Sequence, residues 1–376
     1  MRAWDETEEV LRRQAERRAE EQAETLDELA EHGVDLDPAV RRGAGGEPAG
    51  ESASELEGAA RPAPATHRHG DLEHASDHVH PHAHSGPGEK PVVGIVGAGA
   101  VGTALGVALS RAGWPVGAVA SRDPARRTRF GELVPGVRAF AEPTALIDDV
   151  ELVILAVPDD VVEPLARGLR LYAGQAIVHT SGLLGAEVLE PAMAAGTQAG
   201  AFHPLVAFAD LDRALEALHG ATIAIEGDDE LAAHLGDMAE AIGATPVRLA
   251  PGSKAAYHAA AVLSAGGLVA LLDTIREVAA AVGLDEAGAL EIYLPLLEQT
   301  VANARTLGID RALTGPATRG DAGTIAAHRA AIAADAPAAM DVYRALLTRD
   351  VAIAERRGAL SPEASERLRT ALAPDP

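Results

Sequence analysis

The stretch VVGIVGAGAVGTALGVAL, residues 92–109, decides the fold of this chain. It begins with a short apolar run that is typical of a buried strand, and it ends with apolar residues at helical spacing. Between them stands the pattern Gly97-x-Gly99-x-x-Gly102. Gly97 permits a tight turn, Gly99 lets backbone approach a pyrophosphate, and Gly102 lets the helix pack closely against the strand. The stretch predicts the first strand, turn and helix of a dinucleotide-binding domain.

Four further apolar runs follow this stretch, namely VGAVAS, VELVILAVP, QAIVHTSG and ATIAIEG. They are almost continuously apolar, as parallel strands are when helices cover both faces of their sheet. Helical segments separate them, and this alternation predicts a doubly wound, mostly parallel sheet of the Rossmann type. We expect the sheet layer to end near Leu249.

After Pro251 the strand signals stop and helical patterns take over. Helices are predicted at about 253–282, 286–307, 322–334, 338–357 and 361–372. The predicted organisation has three parts. They are a charged, histidine-rich, largely disordered extension (1–90), an α/β NAD(P)-binding domain (91–250) and an all-α domain (251–376) for substrate binding and dimerisation.

The composition excludes several kinds of function. The formal net charge is −24, whereas a nucleic-acid surface needs clustered lysine and arginine, so a small-molecule partner is expected. The chain has no cysteine, which excludes disulfides and thiolate catalysis. Its beginning, MRAWDETEEV, has no basic segment followed by an apolar one, so we expect no signal peptide and a cytoplasmic location.

The extension combines a charged helix-like segment, a linker rich in Gly, Pro and Ala, and a histidine cluster at residues 67–86. Neutral imidazoles at this density can bind zinc, nickel or copper. The alternative is a solvated, low-complexity linker, which the irregular spacing favours, so no metal is predicted. The candidate ligands, should the segment bind metal, are His67, His69, His78, His80, His82 and His84.

The second strand ends in Ser121-Arg122, where an NAD-binding domain usually offers a carboxylate to the ribose. A hydroxyl and a guanidinium at that position suit a 2′-phosphate, so NADP is predicted, with NAD as the alternative. These charges could also simply be solvated, with Asp123 beside them. The predicted cofactor-binding residues are Gly97, Gly99, Ala100, Val101, Gly102, Ser121, Arg122, Val157 and Pro158.

The stretch GSKAAYHAAAVLSAGGLVALL, from Gly252, contains one of the two lysines in the chain. Lys254 and His258 are four residues apart and share one face of a helix. In the first turn, the positive helix end and burial both lower the pKa of Lys254. Because an amine with such a pKa exchanges protons near neutral pH, the pair predicts general acid/base catalysis. The alternatives are an exposed lysine and a core histidine. The run is nearly long enough to cross a bilayer, but we expect a buried helix.

Several other residues are expected near the carboxyl ends of the strands, where ligands bind in open α/β sheets. Ser181 and His203 are candidates for substrate contact, and Arg319 could bind a carboxylate with two parallel hydrogen bonds, or could simply brace its loop. Asp159 and Asp160 are expected to stabilise a helix start, and His179 to be a buried strand-end residue. The second-rank candidates are Thr324 and His328.

Six motifs in order resemble those of Rossmann-like oxidoreductases that carry a C-terminal domain of unknown function 2520. They are GIVGAGAVG, AVPDD, HTSG, FHPL, SKAAYHAAAV and LTGPATRGD, and they cover residues from about 91 onward. The fourth also resembles a loop of prephenate dehydrogenases. The Lys-x-x-x-His element resembles the Lys-x-x-x-Asn helix of the β-hydroxyacid and 6-phosphogluconate dehydrogenase superfamily, whose lysine is an acid/base, with His258 replacing the asparagine.

The resemblance implies an NADP-binding oxidoreductase fold, with an all-α C-terminal domain of 6-phosphogluconate dehydrogenase type through which the protein would form a homodimer. The predicted function is hydride transfer to or from a small carboxylate-bearing keto, imino or hydroxy acid, with Lys254 as general acid/base. Prephenate-type, ketopantoate-type and pyrroline-carboxylate-type activities are enzymatic alternatives. A non-catalytic NADP-binding sensor or scaffold is the alternative from a different class.

Overall fold

The computed structural model describes residues 90–374 of the 376-residue chain. The predicted N-terminal extension, with its helix, linker and histidine cluster, lies outside the described residues.

The centre of the fold is a sheet of eight strands in the order β3-β2-β1-β4-β5-β6-β7-β8. Its strands are β1 (Val93–Val96), β2 (Val116–Ala120), β3 (Arg138–Phe140), β4 (Leu152–Leu155), β5 (Ala176–His179), β6 (Gln198–Pro204), β7 (Thr222–Glu226) and β8 (Thr245–Arg248). All neighbouring strands pair in parallel except β6 and β7, which are antiparallel. The predicted doubly wound, mostly parallel sheet is confirmed.

Three strands were missed because their sequences lack an apolar run. Strands β3 and β8 are the two edges of the sheet, and most of their residues are exposed. Strand β6, QAGAFHP, has Phe202 as its one large apolar residue and is otherwise built from small and polar residues and proline, although its centre is buried. An edge strand packs on fewer neighbours, so its sequence is less constrained to be apolar.

Helices cover both faces of the sheet. The helices of this part are α1 (Ala100–Arg111), α2 (Pro124–Leu133), α3 (Asp159–Gly168), α4 (Leu211–Leu218) and α5 (Asp229–Ala241), with 3-10 helices at Pro143–Asp149 and Ala186–Ala192. On one face Ile95 packs in a core with Leu105 of α1 and Phe130 of α2. On the other face Val96 and Leu155 pack in a core that includes residues of α3. Both sides of each central strand are therefore buried, which explains its continuous apolar sequence.

After β8 the chain is helical to its described end. The helices are α6 (Lys254–Ser264), α7 (Gly266–Ala280), α8 (Glu286–Leu307), α9 (Ile309–Ala312), α10 (Pro316–Arg319), α11 (Ala322–Asp335), α12 (Met340–Arg356) and α13 (Pro362–Leu372), with a 3-10 helix at Pro337–Ala339. The short helices α9 and α10 were not predicted. Asp321 is the N-cap of α11, since its carboxylate accepts a hydrogen bond from the Thr324 N–H.

The prediction of one continuous helix over 253–282 is wrong, because the helix breaks at Ala265. The break comes just before Gly266 and Gly267, and the Ser264 hydroxyl donates to the Ala260 carbonyl oxygen at 2.8 Å. Glycine pairs and hydroxyl bonds to the preceding turn both favour helix bending.

The prediction that this apolar segment is buried is also wrong. Lys254–Ala280 is long and apolar enough to cross a membrane by length and composition, and its most apolar 18-residue stretch is not buried. The reason is its position, since α7 packs mainly against α6, α8 and the Pro337–Ala339 helix. Its remaining surface stays open to solvent in the described part of the chain.

Candidate functional site

The glycine turn after β1 has a shape that larger residues could not adopt. Gly97 has φ +108°, and a Cβ there would overlap the Ala156 carbonyl oxygen. A Cβ on Gly102 would overlap the carbonyl oxygen of Gly97 itself. The Gly97 N–H donates to the Ala120 carbonyl oxygen of β2 at 2.8 Å. The turn is therefore compressed between β2, β4 and α1, in the way that a dinucleotide-binding turn requires.

A cavity of about 370 Å³ opens at the beginning of α1. Gly99 precedes the helix, and Ala100 and Val101 form its first turn, so unpaired backbone N–H groups point outward there. The cavity wall includes Gly99 and Ala100 from this helix end and Arg126 and Arg129 from α2. Helix N-terminal amides together with two guanidinium groups fit a phosphate-bearing ligand such as a dinucleotide.

The arginines of the cavity wall are not the one expected from the end of β2. Arg122 is exposed and lies outside that wall, and the Ser121 carbonyl oxygen accepts a hydrogen bond from Arg127 at 2.5 Å. Arg126 and Arg129 are three residues apart on α2 and so lie on one face. That spacing was the available signal for Arg129, which sequence reasoning missed. A cofactor contact by Ser121 or Arg122 stays a prediction.

Val157 and Pro158 follow the end of β4, beside the glycine turn. The Val157 Cγ1 would lie 3.2 Å from a Cβ placed on Gly97. Pro158 precedes α3, and Asp159 and Asp160 occupy the first turn of that helix, where negative charge stabilises the helix end.

Lys254 connects the helical part of the chain to the carboxyl edge of the sheet. It is the first residue of α6, it is 3% exposed, and its Nζ donates to the Ser181 carbonyl oxygen at 2.6 Å. Burial lowers the pKa of Lys254 to about 8, while the negative charges of Glu226, Asp159 and Glu187 act in the opposite direction. The direction agrees with the sequence-based expectation. An amine with this pKa can donate or accept a proton near neutral pH.

The turn that carries Ser181, residues 179–187, is held by its own side chains. The Ser181 hydroxyl oxygen accepts the backbone N–H groups of Leu183 and Leu184 at 3.1 and 3.0 Å. His179 is fully buried, and its Nε2 lies 3.0 Å from the Gly185 carbonyl oxygen. Burial, followed by the charge of Lys254, lowers the pKa of His179 to about 4. His179 is thus the buried strand-end residue that the sequence indicated.

Two imidazoles and a phenol gather next to this turn. The ring centroid of His203 lies 5.7 Å from that of His258 and 5.9 Å from that of Tyr257. His203 Nδ1, His258 Nδ1 and the Tyr257 hydroxyl are buried atoms that have no hydrogen-bond partner among residues 90–374. Burial, the charge of Lys254 and then His258 lower the pKa of His203 to about 4. Such unpaired polar atoms can bind a polar ligand at little desolvation cost.

The close approach of these rings depends on Gly182, which sequence reasoning missed. A Cβ on Gly182 would overlap His258 Nδ1 and would lie 2.8 Å from His203 Nε2. The only available signal was the glycine that ends the HTSG motif.

Three of the predicted site residues, Arg319, Thr324 and His328, make no hydrogen bond or ion pair with Lys254 in the described part of the chain. Arg319 is exposed at the end of α10. Thr324 donates to the Asp321 carboxylate at 2.6 Å, and His328 Nδ1 lies 3.0 Å from the Tyr343 hydroxyl oxygen. His328 lines a separate, mainly apolar cavity of about 500 Å³ between α7, α8, α11 and α12.

Within residues 90–374, no group of three or more histidine, aspartate or glutamate side chains is arranged to hold a metal ion. The histidines of the 67–86 cluster lie outside the described residues.

Two family models match the chain. Residues 83–204 match a model described as a Rossmann-like domain, and residues 221–349 match one described as a domain of unknown function, DUF2520. The second match begins at β7, so it includes the last two strands of the sheet. No curated protein matches this chain.

Solved structures that are similar to this one include the following three. A Bacteroides fragilis protein provisionally named an NADP oxidoreductase, BF3122, is 24% identical, covers 70% of this chain and 98% of its own, and has a TM-score of 0.59. The protein TM1727 from Thermotoga maritima is 26% identical over 70% and 100%, with a TM-score of 0.57. A reductive aminase from Aspergillus terreus, in complex with NADPH and ethyl levulinate, is 20% identical over 75% and 99%, with a TM-score of 0.54. The likeness covers the sheet and helical parts together. The chain therefore matches a Rossmann-like domain over residues 83–204, followed by a match to the domain DUF2520 over residues 221–349.

Proposed function

We propose that this chain is an NADP-dependent oxidoreductase that transfers hydride to or from a small carboxylate-bearing keto, imino or hydroxy acid, with Lys254 as general acid/base. The observation that carries the proposal is the position of the Lys254 ammonium group, which is buried at the carboxyl edge of the sheet against Ser181. The glycine turn lies at the same edge, two strands away, which is about 10 Å.

The chain's own groups support a dinucleotide at this edge. The Gly97–Gly102 turn and the beginning of α1 would bind the pyrophosphate, and Arg126 and Arg129 face the adjoining cavity, where a 2′-phosphate would find two guanidinium partners. The bound cofactor would supply or accept the hydride. The names of two of the similar structures, one an NADP oxidoreductase and one a complex with NADPH, favour NADP over NAD.

Lys254 supplies the proton chemistry. When hydride reaches the substrate carbon, the Lys254 ammonium donates a proton to the carbonyl oxygen or imine nitrogen, and the product is a hydroxyl or an amine. In the reverse direction the neutral Lys254 amine accepts that proton. With the Lys254 pKa at about 8, both forms are populated near neutral pH.

The substrate would lie against Gly182, His203 and His258. The unpaired His203 Nδ1, His258 Nδ1 and Tyr257 hydroxyl offer hydrogen bonds to a carboxylate or to the reacting oxygen. We keep Arg319, whose side chain is exposed in the described chain, as a candidate carboxylate partner.

We further propose that the protein is a homodimer through the helical part. The large apolar side chains exposed on α6 to α8 include Val262, Leu263, Val269, Ile292, Leu296 and Val301. A second copy of this chain is favoured over a lipid bilayer, because Lys254 ties the first turn of α6 to the sheet and Asp273, Arg276 and Glu277 lie in α7. A contiguous exposed apolar surface of this kind marks an interaction site.

The test combines NADPH binding with a panel of keto, imino and hydroxy acids. Lys254→Met should bind NADPH as the wild type does, by fluorescence titration, but should lose turnover by about 100- to 10,000-fold, because general acid/base catalysis contributes that much. Lys90→Arg is the matched control, since it changes the chain's other lysine, which is exposed, and it should keep full activity. Full activity in Lys254→Met contradicts the assigned role. NADPH binding without turnover of any panel member would favour the sensor or scaffold alternative.

A further inference from the structure

A buried carboxylate, Glu226, lies close to Lys254 and has no part in the proposed reaction so far. Glu226 is the last residue of β7 and is 8% exposed. Carboxylates are rarely this buried unless a partner compensates for the lost water. The groups around Glu226 lie on nearby strands of the sheet and in the turn of residues 179–187.

The register of the sheet places Glu226 beside the Ser181 turn. His179 of β5 pairs with Ala201 of β6, and Ala201 pairs with Glu226 of β7. Residues that pair across neighbouring strands point to the same face of a sheet, so these three side chains share a face. Ala201, between the other two, has only a methyl group, so no large side chain separates His179 from Glu226 on that face.

Glu226 is bound to that turn directly. Its Oε2 accepts the backbone N–H of Ala186 at 3.1 Å. At the other end of the same turn, the Ser181 carbonyl oxygen accepts the Lys254 ammonium at 2.6 Å. One short segment therefore connects the carboxylate to the amine, and it fixes both in place.

Other charged or titratable groups also face Lys254. Asp159 on α3 and Glu187 on the Ala186–Ala192 helix are exposed carboxylates, whereas the buried or half-buried His179 and His203 have pKa values of about 4 and are neutral at pH 7. His258, one turn along α6, is also close. Because water and salt screen exposed charges strongly, Glu226 is the carboxylate whose charge acts on Lys254 with the least screening.

We propose that Glu226 is a positioning residue that keeps Lys254 in its ammonium form, so that the site is set for proton donation and hence for reduction of a carbonyl or imine at neutral pH. The role of Glu226 in reduction rests on the proposed function. The effect of the Glu226 charge on the protonation of Lys254 does not. Burial raises the pKa of Glu226, while Lys254 and the Ala186 N–H lower it, so the same contacts stabilise the charged pair.

The chain offers a direct measurement, because it contains only two lysines, Lys90 and Lys254. In full-length protein labelled with [13Cε]lysine, NMR should show two lysine signals, and Lys90→Arg assigns them. We expect the Lys254 signal of the wild type to titrate at about pH 8. Glu226→Gln keeps an oxygen for the Ala186 N–H but removes the charge. It should move the midpoint down by about one unit, a tenfold loss of proton affinity.

Glu187→Gln is the matched control, since it removes an equal but exposed charge near Lys254, and it should shift the midpoint by less than about 0.3 units. Equal shifts in the two variants, or no shift in Glu226→Gln, would overturn the proposal. If Glu226→Gln does not fold, the wild type decides, because a buried lysine without a compensating charge titrates at about 5–6. A wild-type midpoint in that range overturns the proposal, and one near 8 supports it.

Activity measurements then distinguish a failure of this inference from a failure of the proposed function. If the protein reduces a member of the panel, the alkaline limb of its pH–rate profile should move in Glu226→Gln by the same amount as the NMR midpoint. A shifted NMR midpoint in a protein without turnover would support the effect of the Glu226 charge on Lys254 and count against the proposed enzyme.

Discussion

The sheet part of this chain buries its apolar residues, whereas the helical part leaves large apolar residues exposed. In the sheet part, Val93, Ile95 and Leu105 are completely buried. In the helical part, Leu263 is 74% exposed and Val269 is 66% exposed. The stretch 92–109 of the sheet part and the stretch 254–280 of the helical part are similarly apolar in sequence, so composition does not account for the difference in burial.

The difference lies in the number of layers that each part supplies. Helices of the same chain cover both faces of the sheet, and the core is complete within one molecule. Helices α6 to α8 pack on one another and leave an apolar surface uncovered in the described chain. Because apolar secondary structure is stable only when a second layer covers it, the sheet part is self-sufficient, and we expect the helical part to require a partner.

The largest expected effect tests that requirement. Leu263→Glu combined with Val269→Glu should convert a dimer into monomers at micromolar concentration, with the dissociation constant rising by more than about 100-fold, because each burial is worth about 1.5–3 kcal/mol. Sedimentation velocity measures the change. Val247→Glu, on the edge strand β8, is the control and should remain dimeric. A wild type that is monomeric at these concentrations, or that sediments with lipid vesicles instead, contradicts the homodimer.

The next effect tests the sheet part at Gly102, where the backbone of the glycine turn is closely packed. Gly102→Ala should cost about 2–4 kcal/mol and weaken NADPH binding by more than about 10-fold, because its Cβ meets the Gly97 backbone. Gly131→Ala is the matched control, since it also lies within a helix and its Cβ would meet nothing within 4 Å. That control should be neutral or more stable by up to about 1 kcal/mol. Urea unfolding and fluorescence titration measure both variants, and equal behaviour of the two would refute the tight turn.

The smallest effect concerns the free energy of unfolding at acid pH, through the buried His179 at the carboxyl end of β5. His179 has a pKa of about 4 in the folded chain against 6.5 when unfolded, so between those values the unfolded state binds more protons. The free energy of unfolding should therefore fall as pH falls from 6.5 to 4, by roughly 3 kcal/mol at most from this residue. His179→Gln should flatten the fall, whereas His219→Gln, at an exposed position, should not. Urea unfolding at pH 7, 5.5 and 4.5 gives the comparison, and an unchanged slope in His179→Gln would contradict it.

The sequence predicted the features that depend on neighbours along the chain. The apolar runs of β1, β2, β4, β5 and β7, the glycine turn and most of the helices of the second half are local patterns. The two edge strands were not predictable in this way, because few neighbours constrain their residues. The exposure of Lys254–Ala280 was also out of reach, since an apolar helix has the same sequence whether its own chain or another covers it.

The sequence by itself determined that Lys254 begins an apolar helix after a dinucleotide-binding domain, because helix starts and glycine turns are encoded within a few residues. The tertiary structure decided what surrounds that amine. Ser181, His203 and Glu226 come from separate parts of the chain, and strand order and register bring β5, which precedes Ser181, side by side with β6 and β7, which carry the other two, around that amine. A pKa depends on the burial and charge that such distant residues create, so no local pattern could have specified it.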